Sequence, residues 1–274
     1  MYKVIKREQI VPNIHLLVIQ SDIIYKNALA GEFVVVRADE QGERIPLNLV
    51  DWEKGSASLV FMEVGTSTRK LAALKAGDEV ATLAGPLGKP TERVSEKKIV
   101  CIGGCYGIGA LYPVIRMFKE NKNHVITIVE ARSAFLLYWQ ERLKKYSDEF
   151  FEITRDGTKG FKGHINDFLV DHLKKNSVDM VYVQGCTYLT YLVSETTRPL
   201  GVKTIVGLNP IMVDATGMCG VCRVIVGGET KFGCVDGPEF DGHQVDWGNL
   251  IARRKIYIND EIYSLSFYEC ERYG

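Results

Sequence analysis

"KIVCIGGCYGIGALYP", residues 98–113, is the stretch that decides the fold. An apolar, β-branched run leads into a turn rich in glycine, with Gly103, Gly104, Gly107 and Gly109, and a helical pattern starts directly behind it. The glycines let the backbone turn sharply and approach a ligand. The helix N-terminus then presents free amides and a partial positive charge, which suits a pyrophosphate. The spacing departs from the strict G-x-G-x-x-G fingerprint, because Tyr112 stands where the third glycine would be. The plain alternative is a tight strand-to-helix turn.

Downstream, strand-like and helical runs alternate. HVITIVE (124–130) precedes FLLYWQERLKKY, FFEITRDG (150–157) precedes HINDFLVDHLKKN, DMVYVQG (179–185) precedes YLTYLVSETTR, and KTIVGLN (203–209) closes the series. Such alternation predicts a doubly wound parallel sheet with helices on both faces. Glu130 ends the second strand, where a carboxylate binds ribose hydroxyls and favours NAD(H). Arg132 is placed to take a 2′-phosphate instead. Gly185 and Cys186 follow the fourth strand, at the carboxyl edge where such sheets bind ligands. A lone cysteine there is also a common core residue.

Upstream, residues 1–95 have short runs rich in β-branched and aromatic residues, HLLVIQ, GEFVVVR and SLVFMEV, separated by the turns ADEQGER, DWEKGS and KAGDE. This predicts an antiparallel sandwich or barrel. Within it Arg44 offers charge-assisted bonds to a phosphate. Gly65, Thr66, Ser67 and Thr68 combine a close-approach glycine with three hydroxyls before a short helix. The chain divides into 1–95 (β), 96–209 (α/β), 210–250 (a glycine- and cysteine-rich module) and a tail, 251–274, that packs on a partner or on its own core.

The 34 basic residues balance 34 acidic ones, which gives no support for nucleic acid or an anionic membrane as partner. No apolar run is long enough to span a bilayer, and MYKVIKREQI lacks the features of a signal peptide, so the expected location is the cytoplasm. The seven cysteines then read as thiols or metal ligands.

Three of them lie in DATGMCGVCRVIVGGETKFGC (214–234), which reads Asp-x4-Cys-x2-Cys-x11-Cys. Plant-type [2Fe–2S] sites use Cys-x4-Cys-x2-Cys and a more distant cysteine. Here Asp214 takes the first position before Cys219, Cys222 and Cys234. The alternative is a tetrahedral zinc held by the three cysteines with Asp214 or His243, which would make the module a non-catalytic zinc ribbon.

The order of these pieces resembles the ferredoxin–NADP reductase superfamily, over roughly residues 1–210. AGEFV and ERIPL resemble its first flavin motifs, VGTST its pyrophosphate-side motif, GGCYGIGALYP its dinucleotide loop and GC (185–186) its nicotinamide-side element. The resemblance implies FAD in the barrel, held by Arg44, Ile45, Pro46, Leu47, Asn48, Met62, Val64, Gly65, Thr66, Ser67 and Thr68. It implies NAD(H) on Gly103, Gly104, Gly107, Ile108, Gly109, Glu130, Arg132 and Gly185, with Cys186 near the reacting rings. Pro46 and Leu47 replace the family's usual aromatic and hydroxyl.

With the cysteine module added, two branches are similar. CVDGPEF (234–240) resembles the electron-transfer subunit of dihydroorotate dehydrogenase. VDATGMCGVCR (213–223), RIPLNL and ARSAFLLYWQERL resemble the small subunit of NADH-dependent reduced ferredoxin:NADP⁺ oxidoreductase, also described as a sulfide dehydrogenase subunit. That branch carries aspartate as first cluster ligand. It implies a larger flavin and [4Fe–4S] subunit that binds NADP(H), with ferredoxin served through the complex by electron bifurcation.

Overall fold

The computed structural model describes residues 2–273. Its first part contains β1 (Tyr2–Val11), β2 (Ile14–Gln20), α1 (Asp22–Asn27), β3 (Phe33–Arg37), β4 (Ile45–Asp51), β5 (Ser56–Met62), α2 (Thr66–Ala73), β6 (Glu79–Val80) and β7 (Thr82–Leu87). The strands are antiparallel in the order β6-β1-β2-β5-β4-β3-β7. Only Ala81 separates the two end strands, and its N–H donates to the Arg37 carbonyl at 3.0 Å. One nearly continuous segment therefore pairs with β1 at one end and β3 at the other, which curls the sheet into a near-barrel. Leu17, Ile19, Val34, Val36, Leu59 and Phe61 fill it.

The second part contains β8 (Lys98–Gly104), α3 (Gly107–Glu120), β9 (His124–Ala131), α4 (Gln140–Lys144), β10 (Glu149–Thr154), β11 (Phe161–Lys162), α5 (Ile165–Lys175), β12 (Met180–Gln184), α6 (Thr187–Thr197) and β13 (Lys203–Gly207). The cysteine module adds the hairpin β14 (Arg223–Val226) and β15 (Glu229–Phe232), then β16 (Glu239–Asp241), α7 (Trp247–Arg254) and α8 (Ile258–Tyr273). The sheet order is β11-β10-β9-β8-β12-β13-β16, parallel except at β16. Alternate residues of β8 serve opposite faces: Ile99 and Cys101 pack toward α3, Val100 and Ile102 toward α5 and α6, as period-two geometry requires.

One expectation is extended and one changes. KTIVGLN is the last parallel strand, and β16 from the cysteine module adds an antiparallel edge to it through Ile205–Asp241, Val206–Phe240 and Gly207–Glu239. The stretch FLLYWQERLKKY is α-helical only over Gln140–Lys144, after a 3-10 turn at Ala134–Leu136. Trp139 sits in the left-handed region at φ 55°, and Tyr138 turns inward to serve the glycine-rich turn.

The two large units meet along α3. The missing side chain of Gly109 is what admits Val60 of the barrel, whose Cβ would lie 3.1 Å from an added Cβ. Buried Asp51 pairs with Arg142, and with Arg116 at 3.5 Å. Arg142 in turn lies 3.8 Å above the ring of Tyr112. Tyr112 thus serves as a platform for an inter-domain ion pair. The tail folds back as α8 onto α2, through Ser264 to Thr66 at 2.9 Å and Glu269 to Arg69.

Candidate functional site

A cavity of about 270 Å³ opens between barrel and sheet, at the carboxyl ends of β12 and β13. From the barrel come Pro46, Leu47 and Asn48 of β4, Met62 of β5, and Val64 and Thr68 beside α2. From the sheet come Gly185 and Cys186, with Tyr106, Gln184 and Asn209. The β8–β12 boundary is the point where strand order reverses, since β9 lies on one side of β8 and β12 on the other. Ligands of open α/β sheets bind at such a point. Residues that the sequence places in two separate units therefore share one largely apolar pocket.

Gly65 caps α2 in extended backbone, and an added Cβ would meet nothing within 4 Å. The first-turn amides of α2 have no intrahelical partners, so this is open space beside free donors, a cradle suited to a pyrophosphate. The Thr68 hydroxyl is committed locally: it accepts from the Val64 and Gly65 amides at 2.9 and 3.0 Å. Ser67 donates to Glu43 at 3.1 Å. Arg44 is exposed and makes no polar contact among the described residues, and Ile45 is half-buried at the start of β4.

The glycines at 103, 104 and 107 sit tightly against other parts of the protein. An added Cβ would lie 2.6 Å from Leu111 at Gly103, 2.8 Å from Leu189 at Gly104 and 2.2 Å from the Gln184 carbonyl at Gly107. These glycines permit close packing within the protein, which their sequence pattern does not distinguish from ligand approach. Ile108 is buried in the core. The Gly109 amide already donates to the Tyr138 hydroxyl at 3.0 Å, and that hydroxyl donates to the Cys105 carbonyl at 3.0 Å.

Glu130 is 4% exposed, and its Oε1 accepts from Arg155 Nε at 3.0 Å. Its Oε2 is buried with no partner. An unpaired buried carboxylate oxygen is costly, and Glu130 pairs with Gly104 beside the glycine-rich turn, which leaves an acceptor open to a hydroxyl donor. Arg132 is exposed. Arg155 was not visible as a site residue in the sequence, because it reaches Glu130 across two strand ends.

In the cysteine module, Gly227 and Gly228 (φ 61° and 78°) make a tight turn of the primed type. The register Arg223–Phe232 then brings Cys222 opposite Gly233, whose amide donates to the Cys222 carbonyl at 3.0 Å. Cys222 Sγ and Cys234 Sγ are 3.2 Å apart and buried. Burial, reinforced by the neighbouring Cys222, pushes the free Cys234 thiol up to about 12. Asp214 and exposed Cys219 form a second pair, with Sγ donating to Oδ1 at 3.2 Å. Backbone donation from Thr216 and the Cys219 thiol hold the Asp214 carboxyl below its ordinary range.

Among the described residues no three His, Cys, Asp or Glu side chains converge as a single-metal site. Two separate pairs suit a binuclear cluster, with two protein ligands on each iron, better than one tetrahedral ion. His243, the alternative zinc ligand, instead contacts Thr197 Oγ1 at 2.9 Å.

Barrel, switch-point sheet and the carboxylate–thiol and thiol–thiol pairs define a flavin and iron–sulfur electron-transfer subunit of the ferredoxin–NADP reductase fold. Residues 209–246 match the iron–sulfur cluster binding domain of dihydroorotate dehydrogenase B. The chain is 38% identical over 261 residues (94% of this chain, 92% of the relative) to a dihydroorotate dehydrogenase B (NAD⁺) electron transfer subunit homolog of Thermotoga maritima. It is 39% identical over 272 residues (95% and 92%) to an uncharacterized protein in the adh 3′ region of Clostridium beijerinckii. A structure of the NADH-dependent reduced ferredoxin–NADP oxidoreductase, studied for flavin-based electron bifurcation, superposes with a TM-score of 0.92 at 36% identity, covering 98% of each chain. The chain belongs to the family of dihydroorotate dehydrogenase B electron transfer subunits and their homologues. No helix among the described residues is long and apolar enough to cross a membrane.

Proposed function

We propose that this chain is the NAD(H)-side subunit of an electron-bifurcating ferredoxin:NADP⁺ oxidoreductase, moving electrons between NAD(H), FAD and a [2Fe–2S] cluster. The observation that carries this reading is the position of Phe33 and Met212. Both line the cavity, and both pack in the apolar cluster that contains Cys222 and Cys234. Cavity and thiol pair are thus joined through one shared layer of side chains, a short path for single electrons.

Bound FAD would supply the conversion between the electron pair of a hydride and single electrons. The protein's own part is to hold and orient. Pro46, Leu47, Asn48 and Met62 wall the ring site and exclude water. Gly65 and the amides at Thr66 and Ser67 receive the pyrophosphate, with Arg44 at its rim. The turn at Gly103, Gly104 and Gly107 receives the dinucleotide, and Glu130 Oε2 accepts a ribose hydroxyl. Gly185 and Cys186 face the nicotinamide. Burial pushes the Tyr106 phenol up to about 12, so it stays a donor and holds the Gly185 carbonyl at 3.0 Å. Asp214 with Cys219 would hold one iron, Cys222 with Cys234 the other.

The partner in this reading is a larger flavin and [4Fe–4S] subunit that binds NADP(H) and serves ferredoxin. A second reading, the electron transfer subunit of a dihydroorotate dehydrogenase, draws support from the match over residues 209–246. Asp214 favours the first, because aspartate as first cluster ligand belongs to the branch that VDATGMCGVCR (213–223) resembles. An absorbance spectrum of purified protein should show a flavin band over broad iron–sulfur absorbance; a colourless, zinc-loaded protein would sink both. Asp214→Cys should change the cluster spectrum and potential, since thiolate is a softer donor than carboxylate. The co-purifying large subunit then separates the two readings.

A further inference from the structure

Arg254 closes α7 and is the one charged side chain among the described residues that line the cavity. Its Nη1 donates to the Asn209 carbonyl at 2.8 Å and to Thr187 Oγ1 at 3.0 Å. The Thr187 hydroxyl donates to Asn209 Oδ1 at 2.7 Å, and Asn209 Nδ2 donates to the Tyr106 hydroxyl at 2.5 Å. The guanidinium is therefore fixed at the carboxyl ends of β12 and β13, while no hydrogen bond among the described residues commits its Nε or Nη2 elsewhere. No carboxylate among the described residues lines the same cavity. Arg254 is exposed to solvent, which keeps the free cation inexpensive. A ring seated against it would exclude that water and strengthen its field.

We propose that Arg254 is the electrostatic partner of the flavin ring, stabilising the negative charge the ring takes on when it accepts an electron pair. The inference rests on the placement of FAD in this cavity. A bound flavin that took a hydride, one proton and two electrons, from reduced nicotinamide would gain one negative charge, and the nicotinamide would be left a cation. A fixed cation in an apolar site stabilises the charged form over the neutral one. Arg253 has a separate task, since its Nη2 donates to the Val221 carbonyl at 3.1 Å, in the loop between Cys219 and Cys222.

Sulfite tests this without turnover. It adds to an oxidised flavin ring as a nucleophile, nothing leaves, and the adduct carries the same extra negative charge on the ring. The purified holoprotein is titrated with sulfite while the flavin band bleaches. R254Q should weaken the adduct by about tenfold or more, and R254K should stay within about fivefold of the parent. R253Q should leave sulfite affinity within about twofold. If R254Q binds sulfite as tightly as the parent, the proposal is overturned while the flavin reading stands. A loss in R254K as deep as in R254Q also overturns it, by showing a purely structural role. Should R254Q fail to retain flavin, R254K decides alone. A parent protein without flavin removes both the reading and the inference.

Discussion

Glu239 Oε1 accepts a hydrogen bond from the Tyr182 hydroxyl at 2.5 Å, so a residue of the cysteine module ends inside the central sheet. Thr91, just beyond the barrel, donates to the same oxygen at 2.7 Å. One carboxylate thus joins three parts of the chain. Desolvation pushes its pKa up to about 7, against an ordinary value of 4.5. A pKa raised on folding means that stability is fully present below about 4.5 and is lost as pH rises through about 7. The span corresponds to roughly 3 kcal/mol. Glu239→Gln keeps an acceptor for both donors and should remove that slope. Urea midpoints at several pH values would show the parent falling toward pH 8 more than the variant; parallel profiles would refute the assignment.

Gly107 and Gly65 should respond in opposite ways to alanine. At Gly107 an added Cβ lies 2.2 Å from a backbone carbonyl, which cannot move without shifting β12. Gly107→Ala should cost about 2–3 kcal/mol or prevent folding. At Gly65 the φ of −144° suits any residue and the space is open. Gly65→Ala should hold stability within about 0.5 kcal/mol while weakening FAD retention. Thermal melts and flavin content after gel filtration check both. Equal flavin content in Gly65→Ala and parent would place the pyrophosphate elsewhere.

The parallel sheet was legible because strands buried on both faces read as unbroken apolar runs, as in Ile99 to Ile102. The barrel was legible from its β-branched runs and charged turns, and α2 from its hydroxyl-rich start. The joins between units were not. β16 is only Glu-Phe-Asp, too short to show a period, and its place is set by pairing with β13. The shortened α4 follows from Tyr138 being drawn to Gly109 and Cys105, a tertiary demand that overrides helical periodicity. The spacing marks Asp214 and the three cysteines as a candidate set, and the Gly227–Gly228 pair is the hairpin signal that brings Cys222 to Cys234. Arg155 and Arg254 act across long sequence separations and have no local pattern.

Glu130 gives a prediction on nucleotide affinity. Its one uncommitted oxygen is buried, while Arg155 holds the other. Glu130→Ala would remove a hydrogen bond to a charged group, worth roughly 1.5–3 kcal/mol. KM for NADH should rise by about tenfold to a hundredfold with kcat little changed, the signature of lost uniform binding. Steady-state kinetics with an artificial electron acceptor would measure it. A fall in kcat at constant KM would instead place Glu130 in the chemical step.

The two ligand pairs should differ in tolerance. Cys222 and Cys234 are buried with Phe33, Val35 and Met212, so they belong to the packing between module and barrel. Cys219 is exposed beside a carboxylate. Serine at Cys219 would place a second oxygen where solvent already satisfies polar atoms, and the cluster should persist with an altered spectrum. Serine at Cys222 would set a hydroxyl among apolar side chains, at a cost of about 1–3 kcal/mol, and in the proposed ligand set it would also take a thiolate from the cluster. Cys222→Ser should therefore lose iron and soluble yield together, while Cys219→Ser keeps most of both. Iron content per chain, read with the visible spectrum, decides; equal loss in the two variants would show that burial does not set the order.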